Sequence, residues 1–207
     1  MKDWFVTLRA KLGFAPKPPL NSKNDLIAFT KAQAAYVSQV TLYGYVKTRA
    51  GTQWPKLFEN ETYLISLKTA NWHIYNACVS DLALFLASRV FIHGGIKENQ
   101  AERLANEISD AVLLTTEQDD LPHQVFVDAA KRSQARAAVL DWSEAATSAL
   151  TFMSSSDAFM RWAPTADEFK QLDEEIMRNS IHLRWIGIRR DVKETINAPA
   201  LITEMEE

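Results

Sequence analysis

Apolar residues recur along this chain at helical spacing, and no segment shows the sustained alternation of a strand. In residues 2–12, Trp4, Phe5, Leu8 and Leu12 fall on one side of a helix that Gly13 ends. Ala15-Pro16-Lys17-Pro18-Pro19 follows, and its prolines fix a stiff, extended linker. The pattern predicts three parts. Residues 1–20 are an amphipathic helical arm plus linker, 21–199 a helical bundle domain, and 200–207 an acidic, frayed tail.

Within the bundle, Ser22 and Asp25 are spaced as a capping box, and nothing interrupts a helix before Ala50-Gly51. Such a helix is about 40 Å long at 1.5 Å per residue. Phe29, Tyr36, Val40 and Tyr43 share one of its faces, the face expected to pack. Trp54-Pro55 marks a turn, and Asn60 caps the next helix. Residues 61–93 read as helix, with Asn71 the candidate break. Ala77 to Ala87 is apolar nearly all round, which predicts a helix at the centre of a bundle. His93-Gly94-Gly95 ends it with a left-handed glycine cap.

Residues 97–116 carry a stripe of Ala101, Leu104, Ala105, Ile108, Ala111, Val112 and Thr115. After a break at Asp119-Asp120-Leu121-Pro122, residues 122–152 are alanine-rich and helical, with Val139 and Leu150 among their apolar positions. Ser154-Ser155-Ser156 ends that stretch. Thr165 and Glu168 form a second capping box, opening a helix that runs to Asn197-Ala198-Pro199. The predicted fold is all-α: a single-domain bundle of about five or six helices, several of them long, with a detached N-terminal amphipathic helix.

Composition agrees with a packed core. The chain is 47% hydrophobic, and its six glycines and seven prolines are few for a fold of many short strands. Its one cysteine, Cys78, excludes an intramolecular disulfide and fits a reducing, cytoplasmic setting. No basic region followed by an unbroken apolar run opens the chain, so no secretory signal is expected. Ile74 to Ile92 is long enough to cross a bilayer but contains Asn76, Asp81 and Arg89. A charge at the bilayer centre costs roughly 2.5–3.5 kcal/mol even on a lenient scale, so a buried helix is the better reading.

Charge changes the picture more. Residues 1–56 carry nine Lys or Arg against two acids, a surplus of +7, while residues 57–207 carry fourteen against twenty-four, a deficit of −10. A basic front suits an anionic contact or a fold that pairs its own halves. In the arm, Lys2, Arg9 and Lys11 beside Trp4, Phe5, Leu8 and Leu12 match a helix lying in a membrane interface, or one docked in a protein groove. The docking residues are then Trp4, Phe5, Leu8, Arg9 and Lys11. Nucleic acid is not expected: Lys23, Lys31, Lys47 and Arg49 are dispersed, and no DNA- or RNA-binding signature accompanies them.

Polar residues on the central helix are the other candidate chemistry. His73, Asn76, Ser80 and Asp81 must find partners if buried. His73 and Asp81 lie about 12 Å apart along the axis, so Asp81 must look to another helix for a Tyr, Arg or Lys. With Tyr36 and Tyr43 they outline a candidate pocket or polar network. Tyr45, Trp54, Phe58 and Tyr63 add aromatics nearby in sequence.

No serine-nucleophile elbow, phosphate loop or dinucleotide fingerprint occurs, and the four histidines lack metal-binding spacing. No catalytic residue, cofactor or metal is therefore assigned. The expectation is a non-catalytic adaptor, assembly factor or regulator, cytoplasmic or peripheral at the inner membrane surface. A protein partner comes first, with an anionic membrane surface or a second copy as further candidates. The alternative is a helical-bundle enzyme or small apolar-ligand binder using Tyr36, Tyr43, His73, Asn76 and Asp81.

Overall fold

The computed structural model describes residues 17–206, and their regular structure is helical. The helices are α1 (Lys23–Ala50), α2 (Trp54–Leu57), α3 (Glu61–Gly94), α4 (Glu98–Leu113), α5 (Gln124–Ala137), α6 (Trp142–Ala145), α7 (Met153–Trp162), α8 (Asp167–Leu172), α9 (Glu174–Thr195) and α10 (Ala198–Glu206). Short 3-10 turns span Gly51–Gln53 and Leu150–Phe152. The expected helix at 2–12 lies outside the described residues.

α3 is the hub. It packs against α1, α4, α5, α6, α7 and α10, and every residue from Cys78 to Val90 is buried. Asn60 starts it by accepting the Tyr63 N–H at 3.0 Å, and Asn71 does not break it. Gly95 ends it at φ 71°, a left-handed conformation that glycine adopts without strain. Among the described residues α3 is long and apolar enough to cross a membrane, but 72% of its most apolar stretch is buried inside the protein.

α1 opens with the Ser22–Asp25 capping box. Its packed face is Leu26, Thr30, Ala34, Val37, Ser38, Thr41, Leu42, Tyr45 and Val46. The stripe of Phe29, Tyr36, Val40 and Tyr43 is instead the outer one: Tyr36 and Val40 are exposed, and Phe29 and Tyr43 are half-buried. Small residues such as Ala34, Ser38 and Thr41 let backbones approach closely, and a tyrosine stripe does not. Leu20, just before α1, donates its N–H to the Thr195 carbonyl at 2.9 Å and accepts from the Asn197 N–H at 3.0 Å. Lys17 pairs with Asp191, so the end of the linker is fastened to the last turns of α9.

Four further expectations change. Trp54-Pro55 begins a short helix, because proline is accommodated in a first turn. The stretch 122–152 is broken: α5 stops at Ala137, Asp141 caps α6 by accepting the Glu144 N–H at 2.9 Å, and Val139 and Leu150 are exposed. Ser154-Ser155-Ser156 is interior to α7, where Ser155 Oγ donates to the Phe152 carbonyl. The Thr165–Glu168 box does not form, since α8 starts after Ala166 with no side-chain cap.

α8 and α9 are separated at Asp173, whose carboxylate is taken by the Tyr45 hydroxyl at 3.0 Å and Arg49 at 2.7 Å. The acidic tail is helical through Glu206, with Leu201 buried and Ile202 against Gly94.

Candidate functional site

Three helices each turn a stripe toward one cleft of about 600 Å³. α3 supplies His73, Asn76, Ala77 and Ser80, spaced i, i+3, i+4 and i+7 on one face. α5 supplies Ala129, Arg132, Ala135 and Arg136, and α7 supplies Ser154, Asp157, Ala158, Arg161 and Trp162. The alanines leave the space, and the arginines give it its charge.

The back wall is a closed polar network. Asp81 is fully buried, and Arg136 Nη1 donates to its Oδ1 at 2.7 Å and to Ser80 Oγ at 2.9 Å. Arg136 Nη2 donates to the Thr151 carbonyl at 3.1 Å. The Ser155 N–H donates to Asp81 Oδ2 at 2.8 Å, and Trp185 Nε1 donates to Ser155 Oγ at 3.0 Å. Burial pushes the Asp81 carboxyl above the usual carboxylate range, with the Arg136 guanidinium pulling the other way. Asp81 thus finds its partner on another helix, as its spacing from His73 requires.

The front of the cleft is different. His73 stacks on Trp162, ring centroids 3.5 Å apart and planes 4° from parallel. Burial, Arg132 and Arg161 together lower its pKa to about 4, so the imidazole is neutral near neutral pH. Arg161 lies over the Trp162 ring at 5.5 Å. The cleft's exposed carboxylate, Asp157, is held by Arg178 at 2.8 Å.

Arg132 and Arg161 are exposed and form no ion pair with a described residue. Asn76 is only 4% exposed, yet neither its amide nitrogen nor its oxygen has a partner among the described residues. A buried polar group left unpaired costs about 1–3 kcal/mol, so such groups are rare without an outside partner. Two unbalanced cations, a neutral imidazole and an unpaired amide make a place that can hold an anion.

Of the residues singled out in the sequence, the cleft brings together His73 and Asn76, with Ser80 at its floor and Asp81 behind. Tyr36 and Tyr43 do not line it. Trp4, Phe5, Leu8, Arg9 and Lys11 lie outside the described residues. Cys78 is fully buried beside Asp81, and its thiol is pushed well above the ordinary range by burial.

Sequence reasoning missed Arg132, Arg136 and Arg161. Arg132 and Arg136 are spaced i, i+4 on an alanine-rich helix, which was a signal, but the acid excess of that half of the chain masked it. Among the described residues, no three His, Cys, Asp or Glu side chains gather to hold a metal ion. No protein-family model matches this chain, and no curated protein or solved structure shows significant similarity to it.

Proposed function

We propose that this chain is a single helical-bundle domain that binds a small anionic ligand in the cleft between α3, α5 and α7, acting as a binding protein rather than a catalyst. The observation that carries this reading is a cleft lined by Arg132 and Arg161, neither paired with a carboxylate of a described residue, whose wall also holds the buried, unpartnered Asn76 amide. Arginine's planar fork of donors suits carboxylate and phosphate oxygens.

The test is a thermal-shift panel of phosphate, sulfate and carboxylate ligands at constant ionic strength. A ligand at about 100 times its Kd stabilises the fold by about 2.7 kcal/mol, roughly 6 °C for a chain of this size. Asn76→Ala and Arg161→Gln should each abolish that shift. A panel with no shift, or variants that respond like the parent, would refute the reading.

A second reading is docking through residues 2–12 to a protein partner or an anionic membrane at the cytoplasmic face. It is supported by the +7 charge of residues 1–56 and by an outward apolar stripe on α8 and α9. Leu172, Ile176, Leu183 and Ile186 are 78%, 65%, 66% and 54% exposed. Flotation with anionic and neutral liposomes tests the lipid branch, using the full chain and one lacking residues 1–16. Lys17 and Leu20 are kept because they bond to α9 and its end. Binding lost with the arm supports docking to anionic lipid, and no binding by either chain removes that branch.

A further inference from the structure

Away from the cleft, α9 carries two apolar faces. Met177, Ile181, Trp185, Ile188 and Val192 are buried against the bundle. On the opposite side Leu172, Ile176, Asn179, Leu183, Ile186 and Arg190 follow one another at steps of four, three, four, three and four residues, and all six are exposed. That is the spacing of a coiled-coil seam, narrower than the stripe of a helix lying on a globular core. Leu172 ends α8, and the other five are on α9. Ser180 and Gly187 flank the seam, and among the described residues nothing packs within 4 Å of where a Gly187 Cβ would be. Glycine inside a helix is destabilising, and here it leaves room for a second backbone to come close.

We propose that this seam pairs with the same seam of a second copy of the chain, antiparallel, about a two-fold axis midway between Asn179 and Leu183. Ile176 of each copy then packs on Ile186 of the other, and Asn179 on Leu183. Leu172 covers the aliphatic stem of Arg190, whose head reaches water at the end of the seam. Charge selects both the occupant and its direction. The exposed charges along the seam change sign from Glu175 near its start to Arg184 and Arg190 toward its end. Antiparallel pairing sets Glu175 of each copy beside Arg189 and Arg190 of the other, whereas parallel pairing sets each charge against itself. The chain's own arm is basic through Lys2, Arg9 and Lys11, and Lys17 beyond it is fastened to Asp191, so the arm folding back would meet the basic end first. A surface of both signs also suits its own complement better than an anionic bilayer.

One helix pair is a small interface, and Asn179 interrupts its apolar run while fixing the register, so the dimer is reversible, with a Kd in roughly the micromolar range. Sedimentation velocity of the full chain, from about 1 to 200 μM, measures it. Leu183→Glu should weaken dimerisation at least about a hundredfold, because a two-fold interface contains the change twice. Asn179→Leu should tighten it about tenfold. Both positions are exposed, so an unchanged melting temperature of the dilute variants separates lost pairing from lost folding. Oxidative cross-linking reads the direction, with Cys78 buried and out of reach. Ile176→Cys/Ile186→Cys should give disulfide-linked dimers. Ile176→Cys alone should not, since antiparallel copies hold those two positions about 15 Å apart along the axis.

A full chain that stays monomeric across this range, or a dimer that survives Leu183→Glu, overturns the proposal. A chain that dimerises only once residues 1–16 are removed overturns it in favour of the arm as occupant. A monomer whose liposome binding is lost in Leu183→Glu overturns it in favour of lipid. Cross-linking of Ile176→Cys alone as readily as of the double variant overturns the antiparallel arrangement.

Discussion

Replacing Arg136 with Met keeps the aliphatic stem and removes a guanidinium that three acceptors share: Asp81 Oδ1, Ser80 Oγ and the Thr151 carbonyl. Asp81 is fully buried and keeps only the Ser155 N–H at 2.8 Å. Removing one partner of a buried ion pair costs about 3–5 kcal/mol, because the other charge stays desolvated. The lower end applies here, since one hydrogen bond survives and the carboxyl can escape by taking a proton. A loss of about 3 kcal/mol, spread over an unfolding entropy of about 2.1 cal/mol/K per residue, lowers the melting temperature by about 7 °C.

The pH dependence gives the prediction its sign. Burial already raises the Asp81 carboxyl, and removing Arg136 takes away the largest opposing influence. A carboxyl raised in the folded state binds its proton there before it does in the unfolded chain. The variant is therefore penalised most at neutral pH, and its deficit against the parent shrinks as pH falls through the raised value. Urea unfolding followed by far-UV circular dichroism, at neutral and mildly acidic pH, measures both effects. Asp81→Asn/Arg136→Met removes both charges and leaves an amide oxygen to accept the Ser155 N–H. It should lose less than Arg136→Met alone, a non-additivity the double-mutant cycle reads directly. An Arg136→Met deficit below about 1 kcal/mol, or one that grows as pH falls, would refute the buried-charge argument.

Two further perturbations probe the frame around the cleft. Gly95→Ala places a Cβ at φ 71°, and should cost about 1 kcal/mol in urea unfolding, with Gly95→Asn milder. Trp185→Phe keeps much of the buried ring area but removes the Nε1 donor to Ser155 Oγ, so a loss of about 1–2 kcal/mol is expected, against about 3–5 kcal/mol for Trp185→Ala.

Signals that act within one turn were legible in the sequence. Ser22 with Asp25, Asn60 and Gly95 cap their helices because each needs only a neighbouring backbone group. The same local reasoning failed where the chain offered an alternative. Thr165 sits in a tight turn, with its N–H donated to the Ala163 carbonyl at 2.8 Å, so the helix begins one residue later without it. Ser155 and its neighbours read as a helix stop, yet Ser155 Oγ bonds to a carbonyl within its own turn and suits a buried helix. Tyr36 and Val40 have core spacing but lie on the outer face of α1, because periodicity marks a face without saying which way it points.

The cleft was less legible still, since its arginines are far in sequence from His73 and only packing unites them. The sequence does show that Asn76 and Asp81, polar groups on an apolar helix, each need a partner from elsewhere. The structure answers the two differently. Asp81 receives two donors from other helices and belongs to the stability of the fold. Asn76 is buried too, lines the cleft, and receives none among the described residues. That difference between two neighbours on one helix, together with the unbalanced Arg132 and Arg161 on the same cleft, is what the proposed anion site is built on.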